Sequence, residues 1–152
     1  MKAINLFAGT GTLTRAFQNQ GAEVIWAHAE TAEEAEIYSC NFPGIPLYQG
    51  ELSIAADKIP SHDILLASLS TVSFSTAGKR TSAQDRGRSP ISLIGSILSE
   101  HRPGAVCIVL SALQMLRKDE EILEMLIREK YQYTYHILEK EQHGGIPVRG
   151  KK

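Results

Sequence analysis

The chain is poor in cysteine, in aromatic residues and in any excess of charge, and each shortage removes a class of function. Two cysteines, Cys40 and Cys107, stand far apart with no C-x-x-C spacing. Neither a disulfide framework nor a zinc-type cluster is indicated, and both read as reduced, packed side chains. Sixteen Lys and Arg against 17 Asp and Glu leave a net charge of −1 and a pI near 6.5. A uniformly basic nucleic-acid binder, with a pI above about 9, is thereby excluded. The longest apolar stretch, Ala105 to Leu113, has Ser111 inside it and is far shorter than the roughly 20 residues of a membrane-spanning helix. Met1 to Phe7 enter a strand-like run without the charged, apolar and small-residue zones of a signal peptide, so a cytoplasmic location is expected. What is present is an ordinary globular composition, 43% hydrophobic over 152 residues, which suits one domain with a sizeable core.

Short apolar runs alternate with segments of helical period, the pattern of β-α units feeding a parallel sheet. Strands are expected over residues 2 to 7, 23 to 29, 63 to 67, 105 to 110 and 131 to 138, with a weaker one near Leu47 and Tyr48. Helices are expected over residues 12 to 20, ending at Gly21, over 31 to 41, from a Ser89 cap with Pro90 at the first helical position, and over 114 to 130. In the last strand Tyr131, Tyr133, Tyr135 and Ile137 alternate with polar residues, which suggests a wetter face, an edge position and antiparallel pairing. The fold class is therefore a three-layer α/β/α, Rossmann-like arrangement on a mostly parallel sheet. A long loop at residues 68 to 88 is of a length usually reserved for function or disorder.

Chemistry is expected at the strand ends. Phe7, Ala8, Gly9, Thr10, Gly11 and Thr12 fall where the first strand gives way to the first helix; glycines there permit a tight turn and close approach to a ligand, and helix-start N–H groups attract polar atoms. A turn that binds nothing is an equal reading of so short a motif. Glu30 ends the second strand, where a carboxylate commonly holds ribose hydroxyls, or else it merely opens an acidic helix. Gly50, Glu51 and Leu52 follow the weak third strand. Of the histidines, His28 reads as a packed strand residue; His62, His101, His136 and His143 fall at element ends or on a wet face, none with metal-ligand spacing.

Several motifs in order make the chain resemble the cytosine-5 DNA methyltransferases. Phe7-Ala8-Gly9-Thr10-Gly11 is similar to their cofactor loop, Asn41-Phe42 to the pair after the second helix, and Gly50-Glu51 to the glycine-aspartate near the adenine. Phe74-Ser75, Ala77-Gly78-Lys79-Arg80 and Asp85-Arg86-Gly87 follow the nucleophile loop, Arg102-Pro103 precedes the fifth strand, and Gly145-Ile146-Pro147 matches a late glycine-valine-proline. The resemblance covers nearly the whole chain. It implies a Rossmann-like methyltransferase domain that binds S-adenosylmethionine through Phe7, Ala8, Gly9, Thr10, Gly11, Thr12, Glu30, Glu51 and Leu52. It also implies DNA contact through Lys79, Arg80, Arg86 and Arg88, which with Asp85 give the loop a charge of +3; a solvated loop is the competing reading.

The departures decide the expected function. The family's nucleophile loop reads proline-cysteine-glutamine-proline, and its cysteine attacks ring carbon 6 of cytosine; here Ser70, Thr71, Val72 and Ser73 stand there. Thr71 is not expected to inherit the role, because a hydroxyl needs a strong adjacent base. The ring-contacting glutamate is replaced within Val109, Leu110 and Ser111. The acid of the second-strand end aligns with Ala29 rather than Glu30, and the aspartate before the cofactor loop's leucine is Asn5. The late glutamine-x-arginine-x-arginine becomes Val148, Gly150 and Lys152, and the basic tail over residues 143 to 152 leads to no target-recognition domain or closing helix. The expectation is a catalytically inactive pseudo-methyltransferase acting through protein binding, self-association or DNA, with weak or absent S-adenosylmethionine binding, no metal and no membrane. The competing expectation is the cofactor-binding subunit of a split methyltransferase.

Overall fold

A computed structural model of the protein describes residues 1–52, 56–69, 89–110 and 112–138. Five strands, β1 (Lys2–Leu6), β2 (Glu23–Ala29), β3 (Leu47–Gln49), β4 (Ile64–Leu69) and β5 (Ala105–Leu110), form one sheet in the order β3-β2-β1-β4-β5. All four pairings are parallel, as strands joined by helical crossovers must be. The chain leaves β1 toward one edge and returns to β4 on the other side, so the topological switch point lies between the carboxyl ends of β1 and β4.

Side-chain alternation divides the layers. Ile4, Leu6, Trp26, Leu65, Ala67 and Leu69 face α3 (Pro90–His101) and α4 (Ala112–Arg128), meeting Ile91, Ile94, Leu98, Ile122 and Met125 in the main core. On the opposite face Ala3, Val24 and Leu66 pack with Leu13 and Phe17 of α1 (Thr12–Asn19), while Ala27 packs with Tyr38 and Phe42 at α2 (Ala32–Asn41). Each fully buried Leu or Ile contributes about 1.5–3 kcal/mol, which is why a runlike, not alternating, pattern suffices for strands covered on both faces. The caps act as the residue types dictate: the Ser89 hydroxyl accepts from Ser92 N at 3.1 Å with Pro90 behind it, and the Thr31 hydroxyl accepts from Glu34 N at 3.2 Å. Among the described residues no helix is long and apolar enough to cross a membrane.

One expected element is corrected. Residues 131 to 138 form no strand. Tyr131 is anchored, its N–H donating to Leu126 O at 2.9 Å and its hydroxyl to Pro103 O at 2.6 Å, but Tyr133, Tyr135, Ile137 and Leu138 beyond it are exposed. Alternation reports two faces, whereas a strand also requires a neighbour for its backbone groups. Between this segment and β5 lies an apolar groove lined by Val106, Ile108, Leu110, Ile122 and Leu126, so no ladder closes. β4 also runs two residues beyond the expected end, to Leu69, paired with Leu110 of β5.

Candidate nucleoside-binding crevice

The loop after β1 is a left-handed turn held from both sides. Phe7, Gly9 and Gly11 have φ of 51°, 53° and 91°; glycine adopts this region without strain. Ala8 N donates to His28 O at 2.8 Å, Gly11 N to Ala8 O at 2.9 Å, and the Asn41 side-chain amide to Thr10 O at 3.0 Å. A Cβ on Gly9 would meet nothing within 4 Å, whereas one on Gly11 would lie 2.0 Å from the Phe42 ring. Gly11 is thus demanded by packing, while the space over Gly9 is open. Gly11 caps α1, and Thr12, exposed at its start, presents the helix amino end beside the turn.

His28 ties the crevice together. Its ring is fully buried at the end of β2. The Gly50 carbonyl can only accept, so Nε2–H donates to it at 2.8 Å and Nδ1 is left to accept from Phe7 N at 3.4 Å. Gly50 N returns a bond to Ala29 O at 3.0 Å. One imidazole therefore fixes the turn after β1 against the turn after β3. Burial pushes its pKa below the ordinary value, against the opposing pull of the Gly50 carbonyl and the Glu34 carboxylate. Tyr48 stacks on His28 at 6.2 Å and on Trp26 at 6.5 Å, with Lys58 over its ring at 4.8 Å. Sequence reasoning missed this role; the available signal was a histidine inside an otherwise apolar strand.

The expected carboxylates flank this frame. Ala29 is completely buried and offers no acid. Glu30, the next residue, is exposed at the strand end, its backbone N–H donating to Glu34 Oε2 at 3.3 Å. Glu51 is exposed beyond Gly50, and Leu52 is buried beneath it. Phe7, Ala8, Gly9, Thr10, Gly11, Thr12, Glu30, Glu51 and Leu52 therefore gather at the carboxyl ends of β1, β2 and β3. The open backbone over Gly9 and the carboxylate of Glu30 fit a nucleoside cofactor; Ala29 does not. Asn5, fully buried, donates from Nδ2 to the Thr14 hydroxyl at 2.9 Å, and that oxygen lies 2.8 Å from the Tyr38 hydroxyl. Here Asn5 braces α1 and α2 from beneath the turn.

The described residues place no thiol at the end of β4. Cys40 is exposed on α2, and Cys107 lies mid-strand in β5 opposite Leu66, where burial pushes its thiol pKa up. Val109 and Leu110 close β5 where the family's glutamate is expected. Thr71, Lys79, Arg80, Arg86, Arg88 and the tail from residue 143 lie outside the described residues.

Comparison with known proteins agrees with this geometry. The Type II methyltransferase M.DsaV of Dactylococcopsis salina is 31% identical over 109 residues, 71% of this chain and 30% of its own length. The Type II methyltransferase M.HhaI of Haemophilus parahaemolyticus is 32% identical over 107 residues, 70% of this chain and 32% of its own. The chain thus spans about a third of the length of these relatives. A crystal structure of a Spodoptera frugiperda DNMT2 mutant shares the fold, with a TM-score of 0.63 at 18% identity over 83% of this chain and 40% of that one. The family model of the C-5 cytosine-specific DNA methylase matches residues 1–149, and the chain belongs to that family.

Proposed function

We propose that this chain is a catalytically inactive cytosine-5 DNA methyltransferase-like protein that works by binding another protein or DNA. The observation that carries the proposal is the double substitution at the chemical centre: Thr71 where the family has its cysteine, and Val109, Leu110 and Ser111 where it has its glutamate. A thiolate forms readily near neutral pH and a threonine alkoxide does not. Restoring either group alone would leave the other half of the reaction unsupported.

The binding face of this reading is the open side of β5. Its outer edge carries backbone groups that no described strand satisfies, and such edges pair readily. Tyr133 and Tyr135 line the groove beside it, and Ile137 and Leu138 follow in sequence, about 70% exposed. A protein partner, an active methyltransferase or a second copy among them, is the expected occupant. Contact with DNA through Lys79, Arg80, Arg86 and Arg88 would add a salt-sensitive, sequence-independent component. Sedimentation across a wide concentration range tests the self-association arm. Dimerisation is expected, weakened by Ile137→Asp; a concentration-independent monomer that binds neither a family methyltransferase nor DNA would refute the binding role.

The intact crevice favours one rival reading, the cofactor-binding subunit of a split S-adenosylmethionine-dependent DNA methyltransferase, with the missing thiol and acid supplied by a partner. When bound, that cofactor supplies the electrophilic methyl group. Phe7 to Thr12 would cradle it and Glu30 would accept from its ribose. Calorimetric titration with S-adenosylmethionine and S-adenosylhomocysteine separates the two. The inactive reading expects weak binding or none, because Ala29 stands where the family has its acid; tight binding of both ligands would favour the split enzyme.

A further inference from the structure

At the amino end of the sheet, opposite the crevice, two imidazoles face each other in a manner the chain's spacing conceals. His62, in the approach to β4, is 7% exposed, and its ring centre lies 5.3 Å from that of His101 in the last turn of α3, with the planes tilted by 35°. Nδ1 of His62 is 2.8 Å from Pro60 O. A carbonyl only accepts, so the proton sits on Nδ1 and the Nε2 lone pair is free. That Nε2 is buried without a hydrogen-bond partner, and so is Nε2 of His101. Buried polar nitrogens are seldom left unsatisfied, and here two of them belong to rings whose centres are 5.3 Å apart.

We propose that His62 and His101 bind a divalent transition metal ion of the zinc class through their Nε2 atoms. The backbone carbonyl on the far nitrogen of His62 is the arrangement that fixes tautomer and ring orientation in metal-ligating histidines. The ring spacing is compatible with a bent, tetrahedral ion. With metal–nitrogen distances of 2.0–2.1 Å and a tetrahedral angle, two ring centres would stand roughly 5.2 Å apart, against the 5.3 Å found; a linear ion of the same bond lengths would need roughly 6.4 Å. Imidazole pairs suit zinc, cobalt, nickel and copper rather than magnesium or calcium. No third His, Cys, Asp or Glu joins the pair among the described residues, so the ion would have to bring water with it to complete the shell. Burial holds the His62 pKa below its ordinary value. The ion's role is structural: it joins the entry of β4 to the end of α3.

The full chain, stripped with a chelator and then titrated with cobalt(II) and zinc(II), tests this. One ion per chain is expected, with the intense visible absorption of tetrahedral cobalt, and zinc displaces it. His101→Gln, at a half-exposed helix end, should keep the fold and weaken binding at least tenfold. Imidazole NMR of the unaltered chain should show zinc shifting His62 and His101 together while His28 and His136 stay unmoved. No saturable binding, equal binding by His101→Gln, or shifts confined to other histidines would each overturn the proposal.

Discussion

Gly11→Ala is expected to cost about 2–5 kcal/mol, the sum of about 1–2 for forcing a side chain into left-handed backbone and about 1–3 for overpacking. Gly11 sits at φ 91°, and an added Cβ would lie 2.0 Å from Cε2 and 2.8 Å from Cδ2 of Phe42. Phe42 can yield only by giving up its contacts: it is buried, its ring is 4.9 Å from Tyr38, and the Arg15 guanidinium covers it at 4.9 Å. Whole domains are stable by only about 5–15 kcal/mol, so the variant should lose a large share of its stability while still folding at ambient temperature. Gly9→Ala is the control. Its φ of 53° carries the same backbone penalty of about 1–2 kcal/mol, yet nothing lies within 4 Å of the new Cβ. That variant should fold, with a methyl group standing in the crevice. Urea midpoints at constant slope check the pair; equal losses would mean that Phe42 does not pack on Gly11 as described.

The second large effect is acid sensitivity centred on His28. Its folded-state pKa lies below the ordinary value of 6.5 because the ring is buried. The unfolded chain therefore takes up a proton first as pH falls. Stability from this group is fully present above about pH 6.5 and is lost as pH falls through that value toward the folded pKa. The groups facing the ring are the Gly50 carbonyl, the Phe7 N–H, the Tyr48 ring and, at longer range, Glu34. Protonation of the folded ring destroys the acceptor for Phe7 N–H, so the turn after β1 should loosen only at lower pH, as the folded pKa is crossed. Urea midpoints from pH 8 to pH 5 should fall in the unaltered chain and fall less steeply in His28→Gln, whose neutral amide cannot titrate. A flat profile in the unaltered chain would contradict the burial of the imidazole.

Much of the fold was legible because its causes are local. The apolar runs at β1, β2, β4 and β5, the Ser89-Pro90 cap and Gly21 carry their meaning within a few residues. The glycine turn was legible as a turn, and Glu30, Glu51 and Leu52 were placed at the right strand ends. What was hidden depends on residues distant in sequence. The Tyr131 to Ile137 alternation looked like a strand, but pairing is decided by what lies beside it, and among the described residues that is an open groove. The clasp of His28 on Phe7 and Gly50 needs three loops brought together. The contact of His62 with His101 needs β4 and α3 to meet. Spacing rules see none of these.

The central claim is that the inherited scaffold has lost its means of adding to the pyrimidine. The most direct measurement mixes the full chain with S-adenosylmethionine and duplex DNA carrying 5-fluorocytosine, then separates the products under denaturing conditions. The account predicts free DNA and free protein, with no covalent species at any incubation time. A retained protein–DNA adduct that disappears in Thr71→Ala would contradict it.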